Sequence, residues 1–289
     1  MTRARLHVLG CGRTARVLAH LMHQGGLVDI GCVVNRSLES AQEAVTFIGA
    51  GRAAEQLPPD ISSDWLLLGL PDGVIEQTAE RAASKLTGQP ELVFHLSGSV
   101  SSSALVSLGG KHAAVHPLRA FANPEHAVAH FDNTWCLGEG DAGALKSLGP
   151  VFEKCGARFS TFAPANKAAW HAATVAASNF LVVINGLARE LAVAAGVDEE
   201  DAKNMLADLQ FGTLTALADR PAATALTGPY ERGDSEAIER LHEAVAHVLD
   251  KPQADLYNAL ARGAVRLARI KRGPVEGDET VISLTSRSG

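Results

Sequence analysis

Three groups of residues have types and spacings suited to chemistry. Gly10-Cys11-Gly12-Arg13-Thr14-Ala15 matches GxGxxG/A, with an apolar run before it and a helical pattern after it. Gly10 would permit a tight turn, Gly12 would let backbone N–H groups approach a diphosphate, and Ala15 would keep the helix close to the strand. The positive end of that helix, at Arg13 and Thr14, would favour the phosphate charge. Cys11 lies inside the loop and reads as a small filler rather than a redox centre.

The second group is Asn35-Arg36-Ser37, at the end of the next apolar run. NAD sites commonly place Asp or Glu here, on the ribose 2′-hydroxyl. Asn35 carries no charge to repel a 2′-phosphate, Arg36 can pair with one and Ser37 can donate to it, so NADP is expected over NAD. The plain alternative is a solvated surface arginine. Leu70 and Pro71 end a further apolar run, either as walls of the cofactor crevice or as an ordinary turn.

The third group is a polar stripe on an otherwise apolar helical stretch. Relative to Lys167, His171 falls about 40° round an ideal helix, Thr174 and Ser178 about 20°, and Asn185 close to 0°. A cation in a first helical turn, partly buried, should be weakened as a cation, which suits proton donation near neutral pH. Lys167 and His171 are therefore the candidate catalytic residues, and a helix–helix hydrogen-bond seam is the alternative. Candidate substrate contacts are Ser97, Gly98 and Ser99, which follow His95, together with His116, Thr227 and Arg232. His95 and His116 could each be a proton donor, but each reads more readily as a hydrogen-bonded core residue. Arg232 could hold a carboxylate bidentately, or its loop could be a structural turn.

These residues need a sheet edge and a long helix to position them. Strands are expected at Leu6–Leu9, Ile30–Val34, Trp65–Leu70, Leu92–Leu96, Ala113–His116 and Thr134–Leu137, with helices at Ala15–His23 and Gly73–Lys85. That alternation predicts an α/β domain with a parallel sheet covered on both faces. After Phe162 the pattern turns all-helical. Pro164 suits a first helical turn and Gly196 a C-cap, and Asp198 can cap a helix running to about Asp219. Two more helices are expected near Ser235–Leu249 and Gln253–Lys271. The expected domains are 1–162, nucleotide-binding, and 163–272, helical, with 273–289 a flexible tail.

Composition bounds the partners. The formal net charge of −6 argues against nucleic acid, and four cysteines without CxxC or zinc-like spacing predict inert thiols, no metal and a cytoplasmic protein. The N-terminus has no room for a signal peptide before the first strand pattern. The run from Ala168 to Ala188 lacks formal charges and is long enough to span a bilayer. Its His, Ser and Asn residues favour instead a helix buried between subunits or domains; a homodimer is expected from this long apolar helix, with a small-molecule substrate and no membrane partner.

HLSGSVSSSAL, AAVHPLRAF, KAAWHAATVAASNF and ALTGPYERGD, in that order, resemble a family with a Rossmann-like domain followed by domain of unknown function 2520. The resemblance runs from the glycine loop to about Tyr257. It implies an NADP-dependent oxidoreductase distantly similar to ketopantoate reductases, β-hydroxyacid dehydrogenases and pyrroline-carboxylate reductases. It also implies an N-terminal Rossmann domain and an all-α C-terminal domain of the 6-phosphogluconate dehydrogenase C-terminal-like type, commonly dimerising. In such relatives a lysine on the long interdomain helix is catalytic, with an asparagine one turn on. Lys167 corresponds to that lysine, and His171 stands where the asparagine would be. The expected reaction is hydride transfer to a small carboxylate-bearing ketone or imine. The alternatives are a non-catalytic NADP-binding regulator or sensor and a helical interaction module with a vestigial site.

Overall fold

The computed structural model describes residues 3–161 and 166–286. Phe162 and Pro164, assigned above to the domain boundary and to a first helical turn, lie outside them. The chain divides into two compact units, Met1–Ser178 and Asn179–Gly289. The division falls inside the long helix rather than near Phe162.

The first unit contains strands β1 (Ala4–Leu9), β2 (Val28–Val34), β3 (Arg52–Ala54), β4 (Trp65–Leu68), β5 (Leu92–His95), β6 (Lys111–Pro117), β7 (Trp135–Gly140) and β8 (Arg158–Thr161). Its helices are α1 (Arg13–Gln24), α2 (Leu38–Ile48), α3 (Ile75–Ala83), α4 (Pro124–Ala129) and α5 (Ala142–Lys154), and α6 (Lys167–Ala194) begins in it. The strands form one sheet in the order β3-β2-β1-β4-β5-β6-β7-β8. The first six follow the Rossmann order, which reverses between β1 and β4 and opens a crevice at their carboxyl ends.

Short, near-continuous apolar runs form these strands because both sheet faces are covered. Leu67 and Phe94 pack under α1 and α5, while Leu66, Leu68 and Val93 pack with Ile75 and Ala79 of α3. The sheet is not wholly parallel, as the alternation implied: β7 runs antiparallel to β6. That pairing sets Glu139 opposite Ala114, which in turn pairs with His95. The helix α2 and strands β3 and β8 had no strong sequence signal, being short or fronted by polar residues.

The second unit holds α7 (Glu199–Asp219), α8 (Ala222–Ala225), α9 (Pro229–Arg232), α10 (Ser235–Val248), α11 (Lys251–Arg272) and α12 (Gly277–Ser286). Gly196, with φ +90°, follows the end of α6, and Asp198 caps α7 by accepting from Glu200 and Asp201 N–H groups. The polar stretch after Gly273, expected to be a flexible tail, instead carries α12. The Asp278 carboxylate, 1% exposed, pairs with Arg272 at 2.7 Å and Arg269 at 3.0 Å. Burial pushes this carboxyl up, but the two guanidinium groups and the Val275 N–H outweigh it and hold it at about 2. Sequence polarity misled because a buried ion pair looks like surface until its partners are placed.

The helix α6 has 28 residues and is long and apolar enough to cross a membrane by length and composition. Leu187 is its one residue recorded as buried, and Phe180, Val182 and Val183 are exposed. Met205, Leu209, Phe211 and Leu214 of α7 are exposed too. The Asn185 side chain donates to Gln210 on α7 at 2.8 Å, so this end of the polar stripe is a helix–helix seam.

Candidate functional site

The glycine corner joins β1 to α1 by close backbone packing. Gly10 has φ +78°, and a Cβ there would lie 2.2 Å from Leu70 Cδ2. A Cβ on Gly69 would lie 2.3 Å from the Ala15 Cβ, so Ala15 and Gly69 together let α1 approach the sheet. Gly12 is the N-cap of α1, no side chain caps its amides and no acidic residue stands in its first turn. A Cβ on Gly12 would meet only the Gly69 carbonyl, at 3.6 Å. The first amides of α1 are thus left for an anion, as a diphosphate cradle requires. The Cys11 thiol is buried, and burial pushes it up to about 12, which removes it as a nucleophile.

A cavity of about 850 Å³ runs along this corner, with Gly10, Gly12, Asn35, Arg36, Leu70 and Pro71 in its lining. Arg16, Arg81 and Lys85 add positive charge to its walls. The Arg16 Nε is buried without a hydrogen-bond partner, an orphaned donor at the edge of this space. Asn35 is engaged within the protein: its Oδ1 accepts from the Cys11 N–H and its Nδ2 donates to the Ser40 carbonyl at 2.9 Å. It therefore braces the glycine loop against α2. Ser37, expected to donate to a 2′-phosphate, is the N-cap of α2 and bonds to Ser40. Ser40, not Ser37, reaches the cavity lining beside Arg36.

A second cavity, about 640 Å³, is lined by Gly12, Arg13, Thr14, Leu70 and Pro71 on one side and Asp72, Ser97 and Arg119 on the other. Leu70 and Pro71 line both cavities, as walls rather than as a plain turn. The Ser97 hydroxyl accepts from the Ser99 and Val100 N–H groups, and the Ser99 hydroxyl donates to Asp72. Arg119 was not singled out in the sequence. Its Nε donates to the buried Thr134 hydroxyl at 2.8 Å, which orients the guanidinium.

The two histidines of the sheet edge separate in role. His95 is fully buried, its Nδ1 accepts from the Ser97 N–H and its Nε2 faces the Ser101 carbonyl at 3.2 Å. It is the hydrogen-bonded core residue that shapes the Ser97–Ser101 loop, and burial holds it down at about 4. His116 packs against Gly98, where a Cβ would lie 2.5 Å from the ring. Its ring centroid is 6.0 Å from that of His171, and each ring has a buried Nδ1 without a hydrogen-bond partner. Burial first, then the His171 and Lys167 charges, hold His116 down at about 4 as well.

Lys167 has a counter-charge that its helix position did not reveal. Its Nζ donates to the Glu139 carboxylate at 2.9 Å. The Thr174 and Ser178 hydroxyls donate to the carbonyls of His171 and Thr174 on their own helix. Thr227 and Arg232 are exposed residues of the second unit. Glu139 gave no sequence signal, because only the antiparallel register of β7 sets it in the row of His95.

A Rossmann-order sheet with a glycine corner, followed by an all-helical unit, defines the architecture of the chain. Residues 134–264 match the family described as "Domain of unknown function (DUF2520)". No protein of curated function matches the sequence. A candidate NADP oxidoreductase from Bacteroides fragilis superposes with a TM-score of 0.77 at 19% identity, over 91% of this chain and 98% of the other. A Streptomyces aurantiacus imine reductase gives 0.63 at 19% identity, over 97% and 99%. A pyrroline-5-carboxylate reductase from Coxiella burnetii gives 0.57 at 17% identity, over 93% and 98%.

With both rings held near 4, His95 and His116 stay neutral at pH 7. Their ring-proton resonances, assigned by loss in His95→Ala and His116→Ala, should not move between about pH 8 and pH 5.5. Titration of His116 close to the ordinary histidine value would show that the cleft is wetter than its geometry implies.

Proposed function

We propose that the chain is an NADP-dependent oxidoreductase that reduces a small carboxylate-bearing ketone or imine. One observation carries the reading: the uncapped first amides of α1 face two cavities that share Leu70 and Pro71 as walls. The site residues fit a dinucleotide, with open amides for a diphosphate on one side and the orphaned Arg16 Nε and Arg36 on the other. The likeness to imine and pyrroline-carboxylate reductases supports the same choice.

When bound, the coenzyme supplies a hydride to the carbonyl or imine carbon. The π electron pair of that bond moves to the oxygen or nitrogen, which then needs a proton. The Lys167 ammonium or His171 gives it, breaking an N–H bond and leaving the donor one proton poorer. Ser97, Ser99 and His116 orient the substrate, and neutral His116 can donate a hydrogen bond without adding charge. Arg119, held by Thr134, adds a fixed cation suited to a carboxylate.

Lys167→Ala should lower turnover by about 10²-fold or more while NADPH titrates with nearly unchanged affinity. Undiminished turnover against a panel headed by ketopantoate and cyclic imino acids would remove this lysine from the chemistry. Arg36→Ala should weaken NADPH about tenfold more than NADH, measured by fluorescence titration. Equal weakening of the two would count against a 2′-phosphate contact.

We also propose that a second copy of the chain covers the exposed apolar face of α6 and α7. The acidic first turn of α7 and the Asn185–Gln210 bond suit a protein partner rather than lipid. Large exposed side chains on both helices supply the apolar area that a stable dimer needs. The four free, buried cysteines support a reducing compartment, in keeping with a cytoplasmic dimer. Sedimentation at micromolar concentration should give the mass of two chains, and Phe211→Asp should give one. A wild-type monomer would reject the proposal.

A further inference from the structure

We infer that Glu139 is the positioning residue for Lys167: a sheet-anchored carboxylate that fixes the ammonium in place. This deepens the proposed function and rests on Lys167 being a proton donor. The geometry is specific at both ends. Glu139 Oε1 accepts from Lys167 Nζ at 2.9 Å and from the Ser102 N–H at 2.8 Å, while Oε2 accepts from the Ser102 hydroxyl at 2.9 Å. Both carboxylate oxygens are therefore engaged, and the group cannot rotate without losing a bond. The side chains of Lys167 and Glu139 are 16% and 15% exposed, so solvent screens the pair only weakly.

The surroundings make the carboxylate necessary. Burial raises the Glu139 carboxyl, but the bonds from Lys167 and Ser102 outweigh it and hold the group below the ordinary carboxylate value. His95 on β5 and His116 on β6 both feel the Lys167 charge, His171 lies one turn along α6, and Asp72 is the other acid acting on these rings. The position of Lys167 in the first turn of α6 disfavours a cation there. A largely buried ammonium in that setting needs a fixed counter-charge to stay ordered. Ser102 supplies the rigidity: its N–H and hydroxyl both reach across to β7.

The test compares wild type with Glu139→Gln, which keeps the shape and removes the charge, and with Ser102→Ala, which frees one carboxylate oxygen. NADPH affinity should stay within about twofold of wild type, since neither residue lines the dinucleotide cavities. Turnover of Glu139→Gln should fall about 10²-fold, in kcat rather than KM, and its alkaline loss should begin at a lower pH than in wild type. Ser102→Ala should fall in the same direction and by less. Independently of activity, the ¹³Cε resonance of Lys167, assigned by its loss in Lys167→Ala, should shift at pH 7 in Glu139→Gln.

A wild-type kcat and pH profile in Glu139→Gln, or an unmoved Lys167 resonance, would overturn the inference. Full turnover in Lys167→Ala would instead sink the proton-donor reading, while the resonance still judges whether Glu139 holds the lysine. Should Glu139→Gln not fold, the resonance and pH profile of Ser102→Ala decide between the same outcomes.

Discussion

A missing side chain at each of two glycines, and a methyl group at the alanine that one of them packs against, is the constraint on which the first unit depends. Gly10, Gly69 and Ala15 meet at distances that admit no further atom. Their closeness brings the start of α1 onto the carboxyl ends of β1 and β4, where the strand order reverses. Side chains of ordinary size here would lift α1 off the sheet, and its uncapped amides would no longer face a cleft. Both cavities, which between them are lined by Gly10, Gly12, Arg36, Leu70, Pro71 and Ser97, are arranged around that corner.

Electrostatics in the cleft follow from what the sheet brings together. Two imidazoles lie beside an ammonium, and burial and charge both act to keep the rings neutral. His95 gives up any role in proton transfer by spending both ring nitrogens on the backbone of the Ser97–Ser101 loop. His116 and His171 each keep a buried nitrogen without a partner, which a bound substrate could satisfy. Lys167 carries the charge, and Glu139 balances it. Such a site combines neutral hydrogen-bond groups with one held cation, an arrangement suited to stabilising charge that develops during reaction.

The second unit shows how polar and apolar residues can mislead when their neighbours are unknown. Its C-terminal segment reads as surface, yet Asp278 is buried against two arginines and fastens α12 to α11. The middle of α6 reads as a helix buried between subunits or domains, and in a single chain its Phe180, Val182 and Val183 are exposed. Both observations have one cause. Composition reports what a side chain prefers, whereas burial depends on which surfaces arrive to meet it.

The sequence alone was enough for the glycine corner, the strand–helix alternation, the caps at Gly196 and Asp198, and the change to an all-helical region. Each is written in local terms: a conformation only glycine adopts, a period of two or of 3.6, a hydroxyl or carboxylate beside free amides. Only the tertiary structure decided that Ser37 caps a helix while Ser40 lines the cavity, that His95 is a core residue, and that Lys167 has a carboxylate partner. It also reversed β7 against β6, which set Glu139 opposite Ala114. Those outcomes depend on strand order and register, which join residues far apart in the chain, and no local pattern records which distant group will complete a hydrogen bond or balance a charge.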